Sequence, residues 1–124
     1  MPLPADIPFG YVVGRFMLAV GDTPADEDAL PDAAPVLGTV RFRPEVPIIV
    51  SLENQPTTIV TQTVEASLVN GVLTDSSGNE GVWLVAGVYN VTFQMQPGIA
   101  LPPIRAVVSE EIPLDLTLAA ALTL

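Results

Sequence analysis

The chain has 124 residues, 49% of them hydrophobic, with 14 acidic against 4 basic side chains for a net charge of −10. All four bases are arginine (Arg15, Arg41, Arg43, Arg105), and no His, Cys or Lys is present. These figures speak against nucleic acid and anionic membrane surfaces as partners, because both are recognised by clustered Lys and Arg. They also exclude disulfides, thiolate metal sites and any Ser-His or Cys-His nucleophile.

The length predicts one domain, residues 1–124, with a small core under a large surface. A mean hydropathy of +0.50 is more than such a core absorbs, so part of the apolar surface is expected to face a partner. No apolar run reaches the 18 residues of a membrane-spanning helix. The first residues, Met1-Pro2-Leu3-Pro4-Ala5-Asp6, lack the basic start and apolar stretch of a signal peptide.

Thirteen prolines and nine glycines punctuate the chain and leave no room for a long amphipathic helix. Between them lie short runs rich in Val, Ile, Thr, Tyr and Phe that read as strands. Residues 10–20 form a nearly continuous apolar run around Arg15. Residues 21–35 read as an acidic, Pro-rich loop. Residues 36–43 alternate, with Val36, Gly38, Val40 and Phe42 on one face and Thr39, Arg41 and Arg43 on the other. Pro44 and Pro47 end this run, and residues 48–52 make a short one of their own.

Alternation resumes over residues 57–69, which groups Val60, Val64, Ala66 and Leu68 against Thr61, Thr63, Glu65 and Ser67. Asn70-Gly71 signals a tight hairpin turn. Residues 75–81, Asp-Ser-Ser-Gly-Asn-Glu-Gly, read as a loop tolerant of positive φ. Residues 82–86 and 88–95 follow as strands joined at Gly87, the second placing Tyr89, Val91, Phe93 and Met95 together.

From Ile104 to Leu124 every even position except Glu110 is apolar. This predicts two strands broken near residues 110–113, the second an apolar strand at 112–124 that is packed in its own sheet or against a neighbouring subunit. A short helix over residues 116–124 is the competing reading, because Ala and Leu favour helix. The whole pattern predicts an all-β chain: a sandwich of about seven or eight short antiparallel strands, immunoglobulin-like or transthyretin-like.

Candidate sites are few. Asp22, Asp26, Glu27, Asp28 and Asp32 would suit a calcium ion by charge, but they lack EF-hand spacing and are interrupted by Pro24 and Pro31. A solvated loop that keeps an oily chain in solution is the simpler account. Residues 75–79 have the composition of a cation loop and, equally, of an ordinary turn; the turn is expected. Glu65, Glu80, Glu110 and Glu111 include no pair singled out by spacing for glycoside hydrolysis. No catalytic, cofactor-binding or metal residue is therefore assigned, and no enzyme is expected. The arginines are expected to pair with carboxylates, Arg15 across a subunit contact. Trp83 and Tyr89 read as core anchors. The expected interface consists of Arg15, Ile112, Leu114, Leu116, Leu118, Leu122 and Leu124.

Three blocks taken together carry a resemblance: Tyr11-Val-Val-Gly-Arg-Phe-Met-Leu-Ala-Val-Gly-Asp22, Pro31-Asp-Ala-Ala-Pro-Val-Leu-Gly-Thr-Val-Arg-Phe-Arg-Pro44, and residues 71–93. They resemble a domain of minor tail proteins in tailed phages that infect actinobacteria. The absence of Lys beside abundant Ala, Val, Pro and Asp fits GC-rich coding of that kind. The resemblance implies a small β-sandwich in the virion, at the tail or tail tip. It implies a homo-oligomer, a trimer above all, whose other partners are virion tail proteins, and it brings no catalytic residue or cofactor. Relatives in that family continue into further domains, whereas this chain stops at Leu124, which favours a connecting or plugging role. Over about 20 residues, Thr74-Asp75-Ser76-Ser77-Gly78 with Leu84-Val85-Ala86-Gly87-Val88-Tyr89-Asn90-Val91 also resembles transthyretin-like sandwich modules. The alternatives weighed are a capsid decoration protein and a carbohydrate-binding module that attaches to host cell-wall glycan.

Overall fold

In the computed structural model, residues 3–20, 32–52, 55–95 and 101–117 are described. Twelve strands form within them: β1 (Phe9–Val13), β2 (Met17–Val20), β3 (Asp32–Pro35), β4 (Gly38–Pro44), β5 (Ile48–Ser51), β6 (Thr57–Val60), β7 (Val64–Val69), β8 (Val72–Thr74), β9 (Val82–Val85), β10 (Gly87–Met95), β11 (Ile104–Val108) and β12 (Leu114–Asp115). Eight of them build two packed sheets, ordered β12-β1-β9 and β11-β10-β4-β7-β8. The other four form two separate ribbons, β2-β3 and β5-β6. The fold class is the expected all-β sandwich, with the larger sheet curled toward a half-barrel.

Period-2 alternation builds the larger sheet. Val40 and Phe42 on β4, Ala66 and Leu68 on β7, Tyr89 and Val91 on β10, and Ile104, Ala106 and Val108 on β11 all point inward and are buried. They meet Val12, Val82, Leu84 and Leu116 from the smaller sheet and its C-terminal edge in one core cluster. Phe42, Leu73, Leu116, Val12 and Val91 are among its fully buried members. The Tyr89 hydroxyl donates 2.7 Å to the carbonyl of Val85, which satisfies the one polar atom this ring takes inside, and burial pushes its phenol pKa up.

The turns follow their residues. β7 and β8 are joined by Asn70 and Gly71, with φ of 52° and 80°, the two positive angles that a tight two-residue hairpin requires. In the 75–81 loop, the Asp75 carboxylate accepts from the backbone N–H of Ser77 and of Asn79, each at 2.9 Å. Those bonds, the one from Asn79 foremost, hold the Asp75 pKa below its ordinary 3.8. The turn reading of this loop fits this geometry, and among the described residues no group of three or more acidic side chains is placed to hold a metal.

Four expectations are corrected. Residues 10–20 are two strands rather than one run, because the chain leaves β1 at Gly14 and crosses to another sheet. Residues 21–35 are not loop throughout: Asp32–Pro35 pairs with Met17–Val20, and the intervening acidic positions lie outside the described residues. Residues 57–69 are also two strands. The Thr61 N–H and hydroxyl are tied to the carbonyls of Pro47 and Val46, at 2.9 and 2.6 Å, so β6 stays with β5 and Val60 does not join Ala66 and Leu68 in the core.

The fourth correction concerns the C-terminal stretch. β12 pairs in parallel with β1, Val12 opposite Leu114, and the chain turns helical at Leu116 and Thr117. Leu116 is 0% exposed, so this domain's own core claims a residue expected at an interface. Leu116→Ala should therefore lower unfolding free energy by about 2–5 kcal/mol, read by chemical denaturation, with the solution mass unchanged.

Asp75 predicts a pH dependence. A carboxyl with a depressed folded pKa stabilises fully above its unfolded value, and that contribution is lost as pH falls through the lower folded one. The stability difference between wild type and Asp75→Asn should be constant at neutral pH and shrink steadily in acid below pH 3.8.

Candidate assembly surface

The β5-β6 ribbon stands apart from both sheets and is fastened at its ends. The Asp6 carboxylate accepts from the Ser51 hydroxyl at 2.7 Å and from the Leu52 N–H at 3.0 Å. At the other end Thr61 holds the 46–47 backbone, and the Glu45 N–H donates 2.9 Å to Val88. The pairing places Ile48 opposite Val60 and Val50 opposite Thr58. Alternation then sends Ile49 and Ile59, both half-buried, to one face. Ile48, Val50 and Val60 go to the other, where all three are exposed beside Leu52. An isolated two-stranded ribbon is marginal in water, so these end ties and its inner isoleucines keep it in place.

The ribbon borders a groove of about 260 Å³. Val60 and Ile59 form one wall, and Trp83 with Leu3 and Val64 lies across it. Trp83 is on β9 opposite Tyr11 of β1. Inward positions of this strand pair are Val82, Leu84 and Val12, which leaves Phe9, Tyr11 and Trp83 on the outer face. The rings gather there: Trp83 lies 4.8 Å from Tyr11, tilted by 41°, and 5.6 Å from Phe9, nearly perpendicular at 76°. The Tyr11 hydroxyl donates to the Glu80 carbonyl.

Trp83 is 62% exposed and Phe9 53%. The expectation of Trp83 as a core anchor is thus corrected, while Tyr89 is the buried aromatic it was read to be. In the continuous run Val82-Trp83-Leu84-Val85 both faces are apolar, so the sequence alone does not say which one turns inward.

The expected interface residues are dispersed. Arg15 is exposed and lies 3.9 Å from Glu80 of its own chain, a contact worth little in water. Its backbone does more: the N–H donates 2.8 Å to Thr117 Oγ1, and the Thr117 hydroxyl donates back to the Arg15 carbonyl at 3.1 Å. Ile112 is 71% exposed on the connection before β12, and Leu114 is half-buried against the core. Leu118, Leu122 and Leu124 lie outside the described residues. Of the described ones, none lines the groove beside the ribbon. The signal that would have found the ribbon is its proline frame, Pro47 before β5 and Pro56 before β6, around two uncharged strands.

Ion pairs neutralise two glutamates that adjoin this surface. Glu45, adjacent to Val46, accepts from two guanidinium nitrogens of Arg105, Nε at 2.8 Å and Nη2 at 3.1 Å, and the hydrogen bond from Arg105 lowers its pKa. Glu65, beside Val64, sits opposite Arg41 in register and accepts from it at 2.7 Å. Arg43 makes no ion pair among the described residues. A polar cleft formed by Arg15, Glu80, Asp115 and Thr117 lies at the end of β1.

Compared with protein-family models, with curated proteins and with solved structures, the chain matches none.

An exposed indole contributes little to folding. Trp83→Ala should change unfolding free energy by less than about 1 kcal/mol in dilute protein, against the ~3–5 kcal/mol of a buried aromatic. Denaturation curves of the two proteins check this.

Proposed function

We propose that this chain is a structural virion protein of a tailed phage, a minor tail or tail-tip component that acts by protein–protein contact rather than by catalysis. The observation that carries the reading is the exposed apolar surface of the β5-β6 ribbon and the groove beside it. An acidic protein keeps such a surface for a neighbour. The virion assignment comes from the resemblance of residues 11–22, 31–44 and 71–93 to phage tail domains. The described parts of those blocks are the framework strands β1 to β4 and β8 to β10, which fits a family sharing a scaffold rather than a catalytic site. The partners are further copies of this chain, three in all by that resemblance, and other virion tail proteins; the place of work is the phage tail.

A second reading, a module binding host cell-wall glycan, gains from one observation. The exposed indole of Trp83, flanked by the exposed ring of Phe9 and the half-buried ring of Tyr11, supplies an apolar ring face on which a sugar ring stacks.

Gold-labelled antibody against the purified protein, applied to virions of the source phage, should decorate tails in electron micrographs. Label over the capsid would instead mean a decoration protein, and unlabelled virions would overturn the structural reading. Host cell-wall glycan added to the protein should leave the emission of Trp83, its single tryptophan, unchanged. A saturable shift at constant mass would establish the glycan module.

A further inference from the structure

We infer that the ribbon face and the groove beside it are the surface through which this chain binds a second copy of itself; the inference deepens the assembly reading and rests on it. Three observations name the occupant.

The first is area. Ile48, Val50, Leu52 and Val60 on the ribbon, with Leu3, Val64, Trp83 and Phe9 across the groove, are between 36% and 74% exposed. Together they present on the order of 800 Å² of residue surface to water, about what each partner contributes to a standard interface. An ordinary monomer's largest apolar patch is ~300–600 Å². The groove joins the two groups into one surface, since Val60 and Trp83 both line it.

The second is charge. Two copies carrying −10 each repel, so they meet only where their acids are absent or neutralised. Neither Ile48–Ser51 nor Thr57–Val60 contains a charged residue. Among the described acids that flank the surface, Glu45 is held by Arg105, Glu65 by Arg41, and Asp6 bonds Ser51 and Leu52. Among these described acids the two glutamates are neutralised by arginine, so a basic partner finds little there to recognise. A face that is apolar and neutral at its centre is complementary to itself, which is what a symmetric contact between identical chains needs.

The third is the strand edges. β5 and β6 pair only with each other among the described residues, so each keeps an outer edge of unpaired backbone groups. Proteins protect such edges with charged side chains on the strand, and these two strands carry none. Pro47 and Pro56 fix where the strands begin without blocking the edges between. A second copy's ribbon can pair along such an edge, and the two apolar faces then lie side by side in one continued sheet.

The test is the solution mass by light scattering after size exclusion across a dilution series, with Trp83 emission as a second readout. Wild type should give a whole-number multiple of 13.0 kDa at high concentration and dissociate on dilution, Trp83 emission moving to the red. Ile48→Lys combined with Val50→Lys should give 13.0 kDa throughout with the melting temperature of dilute, dissociated wild type, since both side chains face water in the single copy. Should that variant fold poorly, Val60→Lys on the partner strand should give the same loss of mass. Ile112→Lys, exposed elsewhere, should keep the wild-type mass. If the ribbon variants retain it too, the inference is overturned while the assembly reading stands. If losing the wild-type mass instead requires Ile112→Lys, the contact lies at the C-terminal connection and the inference is again overturned. A wild type that stays at 13.0 kDa at every concentration overturns self-association, and virion labelling then decides the assembly reading separately.

Discussion

The two sheets, packed over one shared core, are joined at an edge by three residues of backbone. After β1 the chain does not turn back. Gly14, Arg15 and Phe16 cross to the free edge of β8, where the Gly14 carbonyl accepts from Leu73 at 2.9 Å and the Phe16 N–H donates to Gly71 at 2.7 Å. Arg15 bridges to Val72, and Thr117 closes on the other side of the same residue. On the return path the Gly81 N–H donates 2.7 Å to Leu73, so β8 also holds the entry to β9. One short strand is thus bonded to segments leading out of β1 and into β9, and the larger sheet curls to meet them. Gly81, at φ 83° with the Tyr11 ring against it, and Gly71, at φ 80° with the Phe16 carbonyl against it, are positions where this closure leaves no space for a side chain.

That closure decides where the apolar residues go. Once β8 is capped by the 14–16 crossing, the sandwich interior is bounded by eight strands, and its volume is filled by Phe42, Tyr89, Leu73, Leu116 and the small β-branched residues around them. The β5-β6 ribbon has no place inside. It is tethered through Asp6 and Thr61 at its ends, and its outer side chains Ile48, Val50, Leu52 and Val60 are left over rather than buried. The excess of hydropathy in the composition and the exposed ribbon are one fact at two levels, because a domain of this size has more apolar side chains than interior.

The arginines show how few charges are needed to manage an acidic surface. Arg41 and Arg105 each hold one glutamate next to an apolar stretch, both in well-formed exposed pairs. Such pairs add little stability. Their effect here is on where the charge of −10 is felt: it is reduced beside the ribbon and left in place elsewhere.

Much of this was legible in the residues. Strict alternation along β4, β10 and β11 named the inward positions Val40, Phe42, Tyr89, Val91, Ile104, Ala106 and Val108, because a strand with one wet face has only one arrangement that buries them. Asn70-Gly71 announced its hairpin, since only residues tolerant of positive φ make that turn. The candidate surface was not legible. In Val82-Trp83-Leu84-Val85 and in Ile48-Ile49-Val50 both faces are apolar, and period 2 is silent when there is no contrast to read. Which of the two faces turns inward was decided by pairing: Tyr11 opposite Trp83, Val60 opposite Ile48, and Leu116 drawn into the core by the parallel contact of β12 with β1. The sequence by itself determined an all-β chain, its turns and its need to hide apolar surface, because those follow from local residue chemistry. Only the tertiary structure decided which apolar residues remained outside, because burial is a competition for one small interior, settled by hydrogen bonds between segments far apart in the chain.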